Sequence, residues 1–124
     1  MSHIVRIKTR ITDAAALAAA CQRLGLNVPV PGTATLFAGQ QATGLIVNLP
    51  GWTYPVVADI VTGEVQFDHY NQAWGKQVEL DRLLQAYAVE KTRVEARRMG
   101  HSLSEQRLSD GSIKLTLQVT GGAA

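Results

Sequence analysis

The sequence predicts an α+β domain of two layers, a mainly antiparallel sheet with two helices on one face, in the order strand, helix, strands, helix, hairpin. Three observations carry this. The first residues alternate apolar and basic with period two, a stripe of apolar residues at helical spacing runs from Leu80 to Val94, and short β-type runs separated by Pro and Gly turns lie between them. At 124 residues and 46% apolar, the chain has the composition of one folded domain, read here as residues 1–120 followed by a flexible tail at 121–124.

His3, Val5, Ile7, Thr9 and Ile11 share one parity while Arg6, Lys8 and Arg10 share the other, so the first strand has an apolar face and a basic stripe. Thr12-Asp13 offers an N-cap for a short alanine-rich helix with Ala14, Leu17, Ala18, Cys21 and Leu24 at helical spacing, and Gly25 stops it. Short strands are then expected at 27–30, 33–38, 45–49, 56–61 and 64–67, a meander broken by Pro-Gly, Gly-Gln-Gln and Thr-Gly turns. From about Lys76 the residues Leu80, Leu83, Leu84, Tyr87, Ala88, Lys91 and Val94 mark the longest helix, which ends at Met99-Gly100 with Arg97 and Arg98 in its last turn. Ser109-Asp110-Gly111-Ser112 then predicts a tight hairpin turn, with Ile113, Leu115, Leu117 and Val119 on one face of the final strand. Gly121-Gly122-Ala123-Ala124 has little to pack with.

Composition excludes several classes of function. The net charge is only +2, and no Lys or Arg occurs from Leu24 to Gly75, so the central half offers nothing to pair with phosphates and nucleic acid is not an expected partner. No uninterrupted apolar run reaches the roughly 20 residues of a membrane span, and the N-terminus lacks the apolar core of an export signal. One cysteine, Cys21, fits a reducing compartment, and a cytoplasmic protein is expected. Neither GxxxxGK[ST] nor GxGxxG occurs, and no cofactor or metal is expected.

Four groups of side chains remain as candidates. Trp52, Tyr54, Tyr70 and Trp74 lie in or beside turns, as aromatic residues do both at contact surfaces and as loop anchors. Arg6, Lys8 and Arg10 form a basic strand face suited to an acidic partner or, as a weaker alternative, to the phosphates of a nucleic acid, or simply a solvated strand face. His3, Lys8 and Asp110 make a small ligand-binding or catalytic set on the condition that the first and last strands are neighbours in the sheet. Asp59, Glu64, Asp68 and His69 are the acidic and imidazole residues of the middle, at spacings that match no defined metal loop. Cys21, on the inner face of its helix, reads as a small core residue.

The opening Met-Ser-His-Ile-Val-Arg-Ile-Lys-Thr-Arg-Ile-Thr-Asp resembles the start of the domain-of-unknown-function family 1257 of cyanobacteria, other bacteria and some plastid genomes. Trp74-Gly75, Leu83-Leu84-Gln85-Ala86-Tyr87-Ala88, Gly100 and Asp110-Gly111-Ser112-Ile113 extend the resemblance over the second half, while 26–69 departs from it. The resemblance implies no established activity and no catalytic residues. It implies a non-enzymatic accessory or adaptor protein that works through protein-protein contacts, with a AAA+ ATPase and a small companion protein as partners. Self-association through exposed strand edges is the further option.

Overall fold

The computed structural model describes residues 4–119. The elements are β1 (Val5–Lys8), α1 (Ala14–Arg23), β2 (Val30–Thr35), β3 (Gln41–Val47), β4 (Val56–Asp59), β5 (Glu64–Phe67), α2 (Gln77–Arg98), β6 (Ser102–Arg107) and β7 (Ile113–Gln118). Strands β2 to β5 form an antiparallel meander to which β1 adds beside β5, giving a five-stranded sheet in the order β1-β5-β4-β3-β2. His3 and the 121–124 tail lie outside the described residues.

The main core lies between this sheet and the two helices, which pack on each other. Leu17, Ala20 and Cys21 of α1 and Leu80, Leu83, Ala86 and Tyr87 of α2 meet Val47, Val56, Ala58, Val65 and Phe67 of the sheet. Ala16 and Ala20 of α1 are fully buried in the cluster it shares with the sheet, short side chains that allow close packing. Asp13 caps α1 by accepting the Ala16 N–H at 3.1 Å, and Gly25, at φ 73°, ends it, both as the sequence predicts. Cys21 is fully buried, and burial raises its thiol pKa above the ordinary value. The buried hydroxyl of Tyr87 ties α2 to the β1–α1 connection: Oη accepts from the N–H groups of Thr12 and Asp13 at 3.1 and 3.2 Å and donates to the Arg10 carbonyl at 3.1 Å.

Three expectations are corrected. No strand forms at 27–29, and the strand placed at 33–38 is instead Val30–Thr35 followed by a 3-10 turn at Phe37–Gly39. Pro29 and Pro31 lack the N–H that a ladder needs, so they leave β2 as an edge strand. β1 is shorter than its alternation: the chain leaves the ladder after Lys8, Val5 is 37% exposed, and Ile11 reaches the core from the connection to α1. The final hairpin does not join the sheet. β6 and β7 pair only with each other, and β6 packs against α2.

The hairpin is attached by an apolar contact, with Leu103, Ile113 and Leu115 half-buried, and by charge. Glu105 in β6 accepts from both Arg23, at the end of α1, and Arg93 of α2, and Arg23 also reaches Glu90 at 3.1 Å. The paired guanidiniums hold the Glu105 carboxyl below its ordinary pKa, the Arg23 hydrogen bond being the main cause, and Arg23 is raised in turn. Val89 and Ala96 are buried without belonging to the main core; seven residues apart, they share with Arg93 the side of α2 that faces β6. Beyond that contact the apolar face of β7 runs into solvent, with Leu117 48% and Val119 63% exposed.

A candidate aromatic docking site

Trp52, Tyr54, Tyr70 and Trp74 do converge, at the end of the sheet where the β3–β4 loop meets the β5–α2 connection. The two segments are joined by the Thr53 N–H donating to the Trp74 carbonyl at 2.8 Å and by the Trp52 indole N–H donating to the Lys76 carbonyl at 3.1 Å. The rings divide into two groups. Trp52 turns toward the helices and packs on the main core, with its ring 5.9 Å from Phe67 and 5.6 Å from His69. Trp74 lies against Tyr54 at 5.5 Å, Phe37 at 4.9 Å and Tyr70 at 4.7 Å, the last a stacked pair with 25° between planes. Tyr54 also packs on a smaller apolar cluster of Ala34, Leu36, Ala42 and Val57, on the face of the sheet away from the helices.

Trp52 is therefore an anchor, and Tyr70, 45% exposed, is the ring most available to a partner. Gly75 explains the anchor's fit. A Cβ at this position would stand 2.4 Å from the Trp52 ring, so only glycine lets the chain pass over the indole.

The turn that carries Tyr70 is strained. Tyr70, Asn71 and Gln72 adopt φ of 46°, 50° and 70°, three successive left-handed residues with no glycine among them. Each such conformation is costly, about 1–2 kcal/mol for an ordinary side chain, so surrounding contacts must impose it. They are visible here. The Ala73 and Trp74 N–H groups donate back to the carbonyls of Tyr70 and His69 at 2.9 Å each, and the Tyr70 N–H donates to Asp68 Oδ1 at 3.2 Å.

His69 completes the frame. Its Nδ1 accepts the Gln72 N–H at 3.3 Å, which places the ring proton on Nε2, where it is donated to Gln77 Oε1 at 2.9 Å. Gln77 Nε2 donates in turn to Asp81 at 3.0 Å. The N-cap residue of α2 is Lys76, which has no acceptor to offer, and Gln72 Oε1 takes the Gln77 N–H at 3.0 Å in its place. Asp68, fully buried, leaves its second oxygen Oδ2 without a hydrogen-bond partner.

The other candidates are dispersed. Lys8 lies on β1 and Asp110 in the β6–β7 turn, so the first and last strands belong to different sheets and the condition for a His3, Lys8 and Asp110 set fails. The Asp110 carboxylate is occupied by Ser112, accepting its hydroxyl at 2.6 Å and its N–H at 2.9 Å, which lowers the acid's pKa. Arg6 and Lys8 are exposed on the face away from the helices, as the alternation predicts, with Arg6 4.0 Å from Glu64; Arg10 is exposed in the connection beyond. Asp59 caps the turn after β4 by accepting the Val61 N–H at 3.0 Å. Among the described residues no three His, Cys, Asp or Glu side chains gather as a metal site.

Phe37 and His69 are the members of the site that the sequence did not assign to it. Phe37 had no signal, because its approach to Trp74 depends on the 3-10 turn that replaces the expected strand. For comparison with known proteins, no protein-family model, curated protein or solved structure matches the chain. No helix among the described residues is long and apolar enough to cross a membrane.

Proposed function

We propose that this protein is a non-enzymatic adaptor that acts through protein-protein contacts made by its aromatic end, as an accessory component of an ATPase-centred system. The observation that carries the contact surface is the gathering of Phe37, Tyr54 and Tyr70 around Trp74, with Tyr70 held half in solvent by a left-handed turn. Strain retained at a surface turn favours a role in presenting that ring. Aromatic side chains of few rotatable bonds are also the residues that contribute most at protein interfaces. Arg6 and Lys8, on the same face of the sheet as Tyr54, extend the surface with positive charge. The ATPase partner is supported by the resemblance of both ends of the chain to family 1257.

The test is affinity capture of the tagged protein from its native extract, with and without ATP, comparing the unaltered chain with Tyr70→Ala. Tyr70 is the right position because it is exposed, whereas Trp52→Ala removes a core anchor and confounds docking with folding. Recovery of a AAA+ ATPase that is lost with Tyr70→Ala is the expected result. A folded bait whose ATPase capture is unchanged by the substitution, or which captures no ATPase, overturns the proposal.

A further inference from the structure

We propose that the cleft between the end of α1, α2 and the β6–β7 hairpin binds a small singly charged ligand, a carboxylate that carries an apolar group. None of the aromatic residues lines this cleft, so the site is independent of the docking reading above. A cavity of about 210 Å³ lies there, lined by three arginines from three elements: Arg23 of α1, Arg82 of α2 and Arg107 of β6. Leu24 and Ile113 give it an apolar wall, and no carboxylate of the described residues lines it. Gln85 Nε2 donates to the Gly111 carbonyl at 3.3 Å and ties the hairpin turn to α2 at its rim.

Arg107 supplies the second observation. In β6 it alternates with Leu103 and Glu105, and across the ladder it pairs with half-buried Ile113, so it stands on the face of the hairpin that turns to α2. The other cations there are matched: Arg23 and Arg93 share Glu90 and Glu105, and Arg82 holds Glu79 at 3.1 Å. Asp81 and Asp110 line a neighbouring space, where they accept from Gln77 and Ser112. Among the described residues Arg107 has no carboxylate within ion-pair distance. One unmatched cation calls for a singly charged partner, and the guanidinium fork matches a planar carboxylate. Arg23 and Arg82, with five N–H donors each, keep some beyond their own ion pairs.

The apolar group follows from the adjoining space. A second cavity, of about 310 Å³, shares Leu24 and Arg82 with the first and adds Leu26, Leu49 and Pro50, with Glu79 held by Arg82. A carboxylate seated between Arg82 and Arg107 directs an attached chain past Leu24 into it, where each buried methylene adds to affinity.

The experiment titrates the isotopically labelled full chain with hexanoate, hexanamide and acetate, following the arginine Nε–H signals and the Gly111 amide by NMR. Hexanoate is expected to give saturable shifts and to bind about tenfold tighter than hexanamide, which keeps the shape without the charge, and than acetate, which keeps the charge without the chain. Arg107 is exposed and outside the ion-pair network, so Arg107→Gln is expected to fold, to bind hexanoate about tenfold more weakly and to bind hexanamide as before. Should that variant fail to fold, the three ligands in the unaltered chain still decide. Hexanoate binding no tighter than either comparison ligand, no saturable shift with hexanoate, or hexanoate affinity unchanged in folded Arg107→Gln overturns the proposal. Tighter binding of the hexyl phosphate dianion than of hexanoate overturns the choice of a singly charged ligand.

Discussion

The aromatic turn and the β6–β7 hairpin are both attached to the same helix-on-sheet body, and they are attached by opposite means. The turn is wedged: Trp52 packs against the core beneath Gly75, and backbone N–H groups donate to the side chains of Asp68, His69 and Gln72. The hairpin is tethered at its edge, its Glu105 carboxylate shared by two arginines at the helix surface while Ile113 and Leu115 of β7 are half-buried and Leu117 stays in solvent. Steric fit is insensitive to pH and salt, whereas ion pairs at partly exposed positions are sensitive to both. The turn is accordingly built to hold one shape, and the attachment of the hairpin is the one expected to respond to pH and salt.

The largest effect is expected at Gly75. Gly75→Ala drives a Cβ into the Trp52 ring, and the indole has little room to yield because it packs on Phe67 and the core. A destabilisation of about 3 kcal/mol is expected, at the upper end for overpacking. Denaturant unfolding measures it, and a variant within experimental error of the parent refutes the wedge.

The next effect separates the two attachments. Glu105→Gln leaves Arg23 and Arg93 facing a neutral partner, with Glu90 still at hand for Arg23, and is expected to cost about 2 kcal/mol or less, given the partial exposure of the group. The loss is local. Amide exchange should rise in β6 and β7 while the aromatic turn and the five-stranded sheet keep their protection. Acid should mimic the substitution: because the folded carboxyl is held below its ordinary value of 4.5, its stabilising contribution is present above that value and is lost as the pH falls toward the depressed one. Uniform exchange across the chain, in the variant or in acid, would show that the hairpin is part of the cooperative body.

How much of this was legible in the sequence follows the same division. The α1 cap at Asp13, its stop at Gly25 and the end of α2 at Met99-Gly100 are local, written within a few residues, and all are found where the sequence places them. The alternation of Ile113, Leu115 and Leu117 was equally visible, but it tells which face is apolar and not what covers it, so the hairpin's packing on a helix surface was hidden. Four aromatic residues were recognised as neighbours in turns. Their division into a core anchor and an outer group was not, because Trp52 and Tyr54 lie two residues apart yet reach opposite faces of the sheet. The left-handed run and the capping of α2 by Gln72 rest on hydrogen bonds among residues 68–77, and neither Tyr nor Gln has a conformational preference that announces them.

The smallest effect probes whether strain in the turn is what holds Tyr70 in place. Asn71 is the middle left-handed residue, at φ 50°, and its side chain is exposed. Asparagine tolerates this region better than most residues, so Asn71→Ala is expected to cost about 1 kcal/mol and Asn71→Gly to stay within about 0.5 kcal/mol of the parent. The informative quantity is the difference between the two in denaturant unfolding, since both remove the same amide and only the backbone preference separates them. Tryptophan fluorescence of the folded variants then reports on the Tyr70–Trp74 stack. If alanine destabilises the chain and alters the spectrum while glycine does neither, the left-handed backbone is what positions the ring; equal effects of the two would assign the turn's shape to the Asn71 side chain instead.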